Sequence, residues 1–269
     1  MTGPTRRGLL VAGAGAALLA GGAAAGWQVA PDRVRRVFGA NEEWFVPDAP
    51  EGTVRLESVT SAAMGGKVDL FTAVPAGFGD GAGLPVVVIL HGASASVGDF
   101  REFGFGRFVT AAVRAGAPPF VLAGTEDGPS GWLPDGGVDP PAMLREELPG
   151  WLEDRGFDPV RRAVWGWSRG GYGALRLALD TPDYARAWAL FSPAVSAEDP
   201  ALADVTALAG VPLGFWCGTE DPFYDDVREV VDRLAVAPEV TSYASGGHTR
   251  AFWNDHTLDA FAWLGDRLT

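Results

Sequence analysis

The chain has 269 residues, a length typical of one α/β domain rather than two. Its 34 acidic and 21 basic residues leave a net charge of −13, and a surface of that sign repels phosphate backbones, which argues against nucleic-acid binding. The single cysteine, Cys217, excludes an internal disulfide and a cysteine-based metal cluster, and we expect no metal and no cofactor.

The N-terminal segment is typical of export. Arg6 and Arg7 directly precede an Ala- and Gly-rich apolar stretch that runs to about Trp27 and ends in small residues suited to signal peptidase, as in twin-arginine signals. Because this stretch approaches the length that spans a bilayer, the alternative is an uncleaved membrane anchor. We assign residues 1–40 to a signal or anchor with a linker and residues 41–269 to one catalytic-size domain. We therefore expect an exported protein, either secreted or associated with the cell envelope.

From Thr53 onward, short apolar runs alternate with amphipathic stretches, which indicates βαβ units and a mostly parallel sheet. The continuous β-branched run at 86–90 is typical of a strand buried on both faces. The predicted strands cover 53–60, 67–74, 86–90, 120–123, 163–165, 187–191, 213–217 and 240–243. The predicted helices cover 105–114, 141–155, 169–179, 225–234 and 252–268. The Gly-, Pro- and Asp-rich segment 124–140 is long for an irregular connection, so it is a candidate functional loop.

The run Gly166–Gly170 matches the G-x-S-x-G pattern of a nucleophile elbow, with Ser168 at its centre. The match alone is weak in a glycine-rich chain, but a predicted strand leads into it and a predicted helix leads out. A strand-to-helix turn this tight holds the serine in a strained conformation with its hydroxyl exposed above the sheet. The alternative is a glycine-rich turn without chemistry. We predict that Ser168 is a nucleophile.

A serine hydroxyl needs a base to take its proton, and the chain has three histidines. His248 follows the last predicted strand, where the turn carries it to the same end of the sheet as Ser168. His256 lies inside the final predicted helix, and His91 precedes the serine, which is the wrong order for this type of site. His248 is the predicted base.

The imidazole in turn needs a carboxylate that fixes its tautomer and stabilises its charged form. Asp221 lies just past the predicted strand at 213–217 and completes the chain order serine, aspartate, histidine. Glu220 and Asp225 are close competitors, because several acidic residues follow this strand.

An oxyanion hole requires two backbone N–H groups aimed at the developing charge. We expect one from Arg169, directly after the nucleophile, and the other from Ala93, in the loop after the strand at 86–90; the alternative for this loop is a simple strand-ending turn. Four aromatic residues are candidates either for the substrate pocket or for the core. They are Trp132, Trp167, Phe223 and Trp253.

From about Leu84 to Leu264 the chain resembles the putative-esterase family, which contains esterase D, feruloyl-esterase-like enzymes and the mycolyltransferases. The runs that carry the resemblance are 147–152, 168–174, 191–194, 221–224 and 247–253. The resemblance implies an α/β-hydrolase fold, with a central sheet of about eight mostly parallel strands flanked by helices, and a triad of Ser168, Asp221 and His248. Two residues depart from the family: Arg169 stands where it usually has an apolar residue, and Arg250 where it often has Trp.

These residues together predict an exported serine carboxylesterase that forms an acyl-enzyme on Ser168 and acts on a small-molecule or lipid ester. Between Ser192 and Val211 there is room for only one short helix, so we expect no large lid domain, and water should reach the acyl-enzyme. One alternative is a cell-envelope acyltransferase that uses a sugar or glycerol acceptor. The other is a hydrolase fold that only binds.

Overall fold

The computed structural model describes residues 43–269, so the signal or anchor assigned to residues 1–40 lies outside the described residues. The described chain forms one eight-stranded sheet in the order β1-β2-β4-β3-β5-β6-β7-β8, in which β2 is antiparallel to both neighbours and every other pair is parallel. The strands are β1 (Thr53–Ser61), β2 (Gly66–Val74), β3 (Pro85–Leu90), β4 (Val121–Thr125), β5 (Asp158–Trp167), β6 (Trp188–Phe191), β7 (Leu213–Gly218) and β8 (Val240–Ala244). The sheet is the one that the sequence predicts.

Helices cover both faces of this sheet. They are α1 (Phe105–Arg114), α2 (Pro140–Ala142), α3 (Leu148–Glu153), α4 (Arg169–Asp180), α5 (Tyr224–Asp232) and α6 (Arg250–Arg267), with a π-helical turn, Met143–Glu147, between α2 and α3. Short 3₁₀ helices are Val97–Phe100, Pro182–Tyr184, Pro200–Leu202 and Val205–Leu208. Within residues 43–269, no helix combines the length and the apolarity that a bilayer crossing requires.

Strand β3 shows how the core is divided. Its side chains alternate between the two faces, as in any strand, and all six residues are buried. Val86 and Val88 pack in one apolar cluster with residues of α3, α4 and α5. Val87 and Ile89 pack in the other cluster with residues of α1 and α6. Burial on both faces explains why this segment is an unbroken apolar run.

The structure differs from the sequence-based prediction in three places. Strand β5 begins at Asp158, five residues before the predicted start, because its first half lies near the surface and lacks an apolar run: Val160 is 76% exposed. The predicted helix at 141–155 contains the π-helical turn, which comes just before Pro149, a residue with no N–H to donate to the preceding turn. The segment 192–212 holds two 3₁₀ helices instead of one short helix, and neither forms a lid domain.

Candidate active site

Four polar residues lie at one edge of the sheet, directly after the carboxyl ends of parallel strands. His91 follows β3, Ser168 follows β5, Asp221 comes just after β7, and His248 comes just after β8. Open α/β sheets bind their ligands at this edge, because the loops that leave parallel strands converge there. The topology therefore brings together residues that are distant in the chain: 157 positions separate His91 from His248.

The turn at Ser168 has the conformation of a nucleophile elbow. Ser168 has φ 56° and ψ −122°, a combination that costs a non-glycine residue free energy and persists only where the surroundings enforce it. The N–H of Ser168 donates to the carbonyl of Phe191 (2.9 Å), and its own carbonyl accepts from the N–H groups of Tyr172 and Ala194 (3.0 Å each). A Cβ on Gly170 would lie 2.0 Å from the carbonyl oxygen of Leu90, so strand and helix meet this closely only because glycine stands there.

The side chains of Ser168, His248 and Asp221 form one hydrogen-bonded chain. The Nε2 atom of His248 lies 2.8 Å from Ser168 Oγ, and its Nδ1 atom lies 2.9 Å from Asp221 Oδ2. The other carboxylate oxygen of Asp221 accepts the N–H of Phe223 at 2.9 Å, which holds the carboxylate in place. His248 is 3% exposed and Asp221 is 5% exposed. Because Nδ1 faces a carboxylate, Nε2 is left to accept the hydroxyl proton of Ser168.

The competing candidates have other surroundings. Glu220 accepts a hydrogen bond from Ser245 Oγ (2.9 Å), and Asp225 is exposed on the first turn of α5. His256 lies on α6, where its ring packs against Phe252 with centroids 4.6 Å apart. The structure brings none of these three into the hydrogen-bonded chain at Ser168.

The two N–H groups predicted to form an oxyanion hole lie on either side of the elbow. Arg169 is the first residue of α4, so its N–H has no acceptor within the helix. The loop after β3 touches the elbow at Gly92, where a Cβ would lie 3.0 Å from Ser168 Cβ. Ala93 follows Gly92, and its N–H makes no hydrogen bond to another backbone group within residues 43–269. Both N–H groups therefore lie in segments that adjoin Ser168, and that they form an oxyanion hole stays a prediction.

The four aromatic candidates divide into two pairs. Phe223 and Trp253 flank His248, with ring centroids 5.2 and 4.9 Å from the imidazole centroid. Trp132 is 2% exposed and donates its Nε1–H to the carbonyl of His91 (2.9 Å), so it secures the loop after β3. Trp167 has no exposed surface and lies in the apolar cluster beneath the elbow. Only the first pair lies against a residue of the hydrogen-bonded chain.

Sequence reasoning missed a part-buried ion pair that involves Arg169, the residue directly after the nucleophile. The Nη2 atom of Arg169 lies 2.5 Å from Asp127 Oδ2, although its N–H groups do not align with that oxygen as in a hydrogen bond. Burial raises the pKa of Asp127, while the nearby His91 and Arg169 oppose that rise. Asp127 lies in the segment 124–140 predicted as a functional loop, but its composition did not distinguish this aspartate from the other acidic residues there. The pair ties that loop to the elbow.

A cavity of about 450 Å³ lies beside the same loop and α4. Its lining includes Trp132, Asp139, Arg145 and Arg176, and none of the residues hydrogen-bonded at Ser168. Within residues 43–269, no three His, Cys, Asp or Glu side chains cluster in a way that would hold a metal ion.

Comparisons with known proteins identify the family and the fold of the chain. The profile of a family described as putative esterase matches residues 61–266. A ferulic acid esterase of known structure superposes with a TM-score of 0.68 at 19% identity, over 82% of this chain and 100% of that one. An S-formylglutathione hydrolase from Staphylococcus aureus gives 0.65 at 18% identity, over 79% and 98% of the two chains. MPT51 of Mycobacterium tuberculosis gives 0.61 at 16% identity, over 81% and 100%.

A search of curated protein sequences found no match. At identities below one fifth, the structural likenesses show the fold, which is that of the α/β hydrolases. The profile match covers more than three quarters of the protein, and its range includes Ser168, Asp221 and His248. This chain therefore belongs to the putative-esterase family and has the α/β-hydrolase fold.

Proposed function

We propose that this protein is a serine hydrolase that cleaves carboxylic esters, with Ser168 as nucleophile, His248 as general base and acid, and Asp221 as the carboxylate that orients the imidazole. The observation that carries the proposal is the hydrogen bond of 2.8 Å between His248 Nε2 and the hydroxyl of a serine held at φ 56° on a strand-to-helix turn. Membership of an esterase family supports the same chemistry.

The reaction follows from the positions of these groups. His248 Nε2 takes the hydroxyl proton while Ser168 Oγ bonds to the ester carbonyl carbon, and the carbonyl oxygen becomes negatively charged. The N–H groups of Arg169 and Ala93 donate to that oxygen. The bond to the alcohol oxygen then breaks, and the alcohol leaves with the proton from His248. A water molecule then gives a proton to the same nitrogen and attacks the acyl carbon; the bond to Ser168 Oγ breaks, the acid leaves, and Oγ takes the proton back from His248.

The open edge of the sheet supports hydrolysis over acyl transfer. The segment between β6 and β7 holds only the 3₁₀ helices Pro200–Leu202 and Val205–Leu208. Nothing larger in that segment screens Ser168 from solvent, so water competes freely for the acyl group.

Export is also part of the proposal. Its support is the pair Arg6 and Arg7 and the apolar stretch that follows them.

The test is ester hydrolysis combined with labelling by a fluorophosphonate probe, which reacts with activated serines. Ser168→Ala should abolish labelling and lower kcat by about 10⁴ to 10⁶, the range lost when a triad nucleophile is removed. Ser245→Ala is the matched control, because Ser245 is an exposed serine on the His248 loop with its hydroxyl bonded to Glu220. Labelling that persists in Ser168→Ala would reject the assignment. Products formed with and without glycerol or a sugar separate hydrolysis from transfer.

A further inference from the structure

Arg250 occupies an unusual position beside the candidate active site. It is the first residue of α6 and lies two positions after His248. Its guanidinium carbon lies 3.9 Å from the centroid of the Phe103 ring, 4.3 Å from that of Trp167 and 5.0 Å from that of Trp253. Three aromatic faces within about 6 Å form a cation–π cage, here called the Arg250 cage. The guanidinium is thus held at one place.

Within residues 43–269, no carboxylate forms an ion pair with Arg250. The residue is 8% exposed, and its Nε and Nη1 atoms are buried without a hydrogen-bond partner in the described part of the chain. Burial lowers the pKa of its guanidinium to about 9, and Asp99 is the one charged group that acts in the opposite direction. Asp99 is already occupied, because its Oδ2 accepts from the N–H and the hydroxyl of Ser96 (2.8 and 2.9 Å).

Arg169 provides the internal contrast. Both arginines depart from the family pattern and both lie beside the candidate active site, but Arg169 has a part-buried ion-pair partner in Asp127. A buried cation without a partner is destabilising, since cation–π contacts do not replace the hydrogen bonds lost from water. At neutral pH Arg250 keeps its charge, so the described part of the chain holds a positive charge here that no ion pair within it balances. A ligand anion would supply the missing partner.

The Arg250 cage adjoins the reacting groups on two sides. Trp167 directly precedes Ser168 in the chain. The ring of Trp253 meets the imidazole of His248 edge-on, with centroids 4.9 Å apart and planes at 88°. The cage also lies at the N-terminus of the 18-residue helix α6, whose dipole favours a negative charge there and disfavours a positive one. An anion bound at Arg250 would therefore sit close to an ester bound at Ser168.

We infer that Arg250 binds a carboxylate carried by the substrate, so that the preferred substrates are esters with a free carboxylate a few bonds from the scissile group. This inference rests on the proposed function, since it names the substrate class of the same site. A carboxylate fits because it carries a single negative charge and accepts strong hydrogen bonds from a guanidinium, whereas the net charge of −13 opposes anions of higher charge more strongly. The aromatic walls suit the short apolar linker of such an ester.

The test compares esters that differ only in charge. Monomethyl glutarate and its neutral amide, methyl glutaramate, place the carboxylate on the acyl side; 4-acetoxybenzoate and 4-acetoxybenzamide place it on the alcohol side. For one of the two pairs, the wild-type kcat/KM should favour the carboxylate by about 10- to 100-fold, the range expected for hydrogen bonds to a charged group. A ratio of one or below for both pairs in the wild type would overturn the inference.

Variants locate the effect at Arg250. Arg250→Met removes the charge and keeps an unbranched apolar stem, and Arg250→Trp introduces the residue that the family often has. In each the carboxylate-to-amide ratio should fall to about one, and Arg250→Lys should keep part of the preference because it keeps the charge without the planar fork. Arg228→Met is the matched control: Arg228 is an exposed cation over the Tyr224 ring, and its loss should leave the ratio within about twofold. An unchanged ratio in both Arg250→Met and Arg250→Trp would reject the role of Arg250.

A binding measurement separates this inference from the proposed function. Saturating glutarate should raise the Tm of the wild type and of Ser168→Ala, because a ligand that binds only the folded state stabilises it, and should not raise that of Arg250→Met. No turnover of any ester, together with no fluorophosphonate labelling, would reject the proposed function while glutarate binding still tests Arg250. Turnover of neutral esters without a carboxylate preference, and no Tm shift with glutarate, would reject the inference and leave the esterase proposal standing.

Discussion

The strained turn at Ser168 leads to a prediction about stability that is independent of the substrate. A non-glycine residue at φ 56° and ψ −122° costs about 1 to 3 kcal/mol, and glycine adopts this conformation without that cost. Ser168→Ala keeps the strain and Ser168→Gly removes it. Both lose the hydrogen bond to His248, so this loss cancels when the two variants are compared with each other.

The expected difference can be worked out from these contributions. Glycine lowers the free energy of unfolding by about 0.4 to 1 kcal/mol, because it gives the unfolded chain more conformational freedom. Ser168 is partly exposed, so the loss of its Cβ leaves little cavity. Ser168→Gly should therefore be more stable than Ser168→Ala by about 1 kcal/mol, or about 3 °C in Tm for a domain of this size. Neither variant should hydrolyse esters. Urea unfolding and differential scanning calorimetry measure the stability difference.

An ordinary strand position provides the control. Ser58 lies exposed in β1 and is not among the residues with positive φ. There the sign should reverse, with Ser58→Gly less stable than Ser58→Ala by about 0.5 to 1 kcal/mol. Suppose that Ser168→Gly were less stable than Ser168→Ala while Ser58→Gly was less stable than Ser58→Ala as expected. The backbone of Ser168 would then not be strained, and the turn would not have the conformation of a nucleophile elbow.

Three further predictions concern the remaining residues. His248→Ala should be as damaging to kcat as Ser168→Ala, whereas His256→Ala should stay within about tenfold of the wild type, because His256 packs on Phe252 away from the hydrogen-bonded chain; the opposite ranking would identify another base. Asp221→Asn should lower kcat by about 10⁴, because the imidazole would adopt the wrong tautomer. Glu220→Gln changes a neighbouring carboxylate that is bonded to Ser245 and should retain activity. The reverse result would identify Glu220 as the carboxylate of the triad. Replacing Arg6 and Arg7 with Lys should leave folded, esterase-active protein inside the cell. Comparing exported with cell-associated esterase activity measures this, and unchanged export would indicate the general secretory route instead.

The order of the strands and the position of the nucleophile turn could be predicted from local sequence. The buried strand β3 is a continuous apolar run because both of its faces are covered, and the glycines around Ser168 are needed wherever a strand turns directly into a helix. The strand order along the chain then places Ser168, Asp221 and His248 after three parallel strands, β5, β7 and β8. Those local signals were enough to predict the fold and the family. That the three residues carry catalysis stays a prediction.

Other features depended on contacts that no local pattern encodes. The first half of β5 lies near the surface and pairs with β3 at Asp158 and Arg162, with a register shift between them, so no run of apolar side chains marks it. Among the clustered acids after β7, only the folded turn separates Asp221, which faces His248, from Glu220, which bonds Ser245.

The two arginines show the same limit most clearly. The sequence by itself determined that Arg169 and Arg250 stand beside the nucleophile and the base and that both are exceptions in the family. Only the tertiary structure decided that Asp127 pairs with the first, while three aromatic rings surround the second, which has no ion-pair partner within residues 43–269. The physical reason is that the energy of a charge depends on burial and on partners distant in the chain, and both are set by packing.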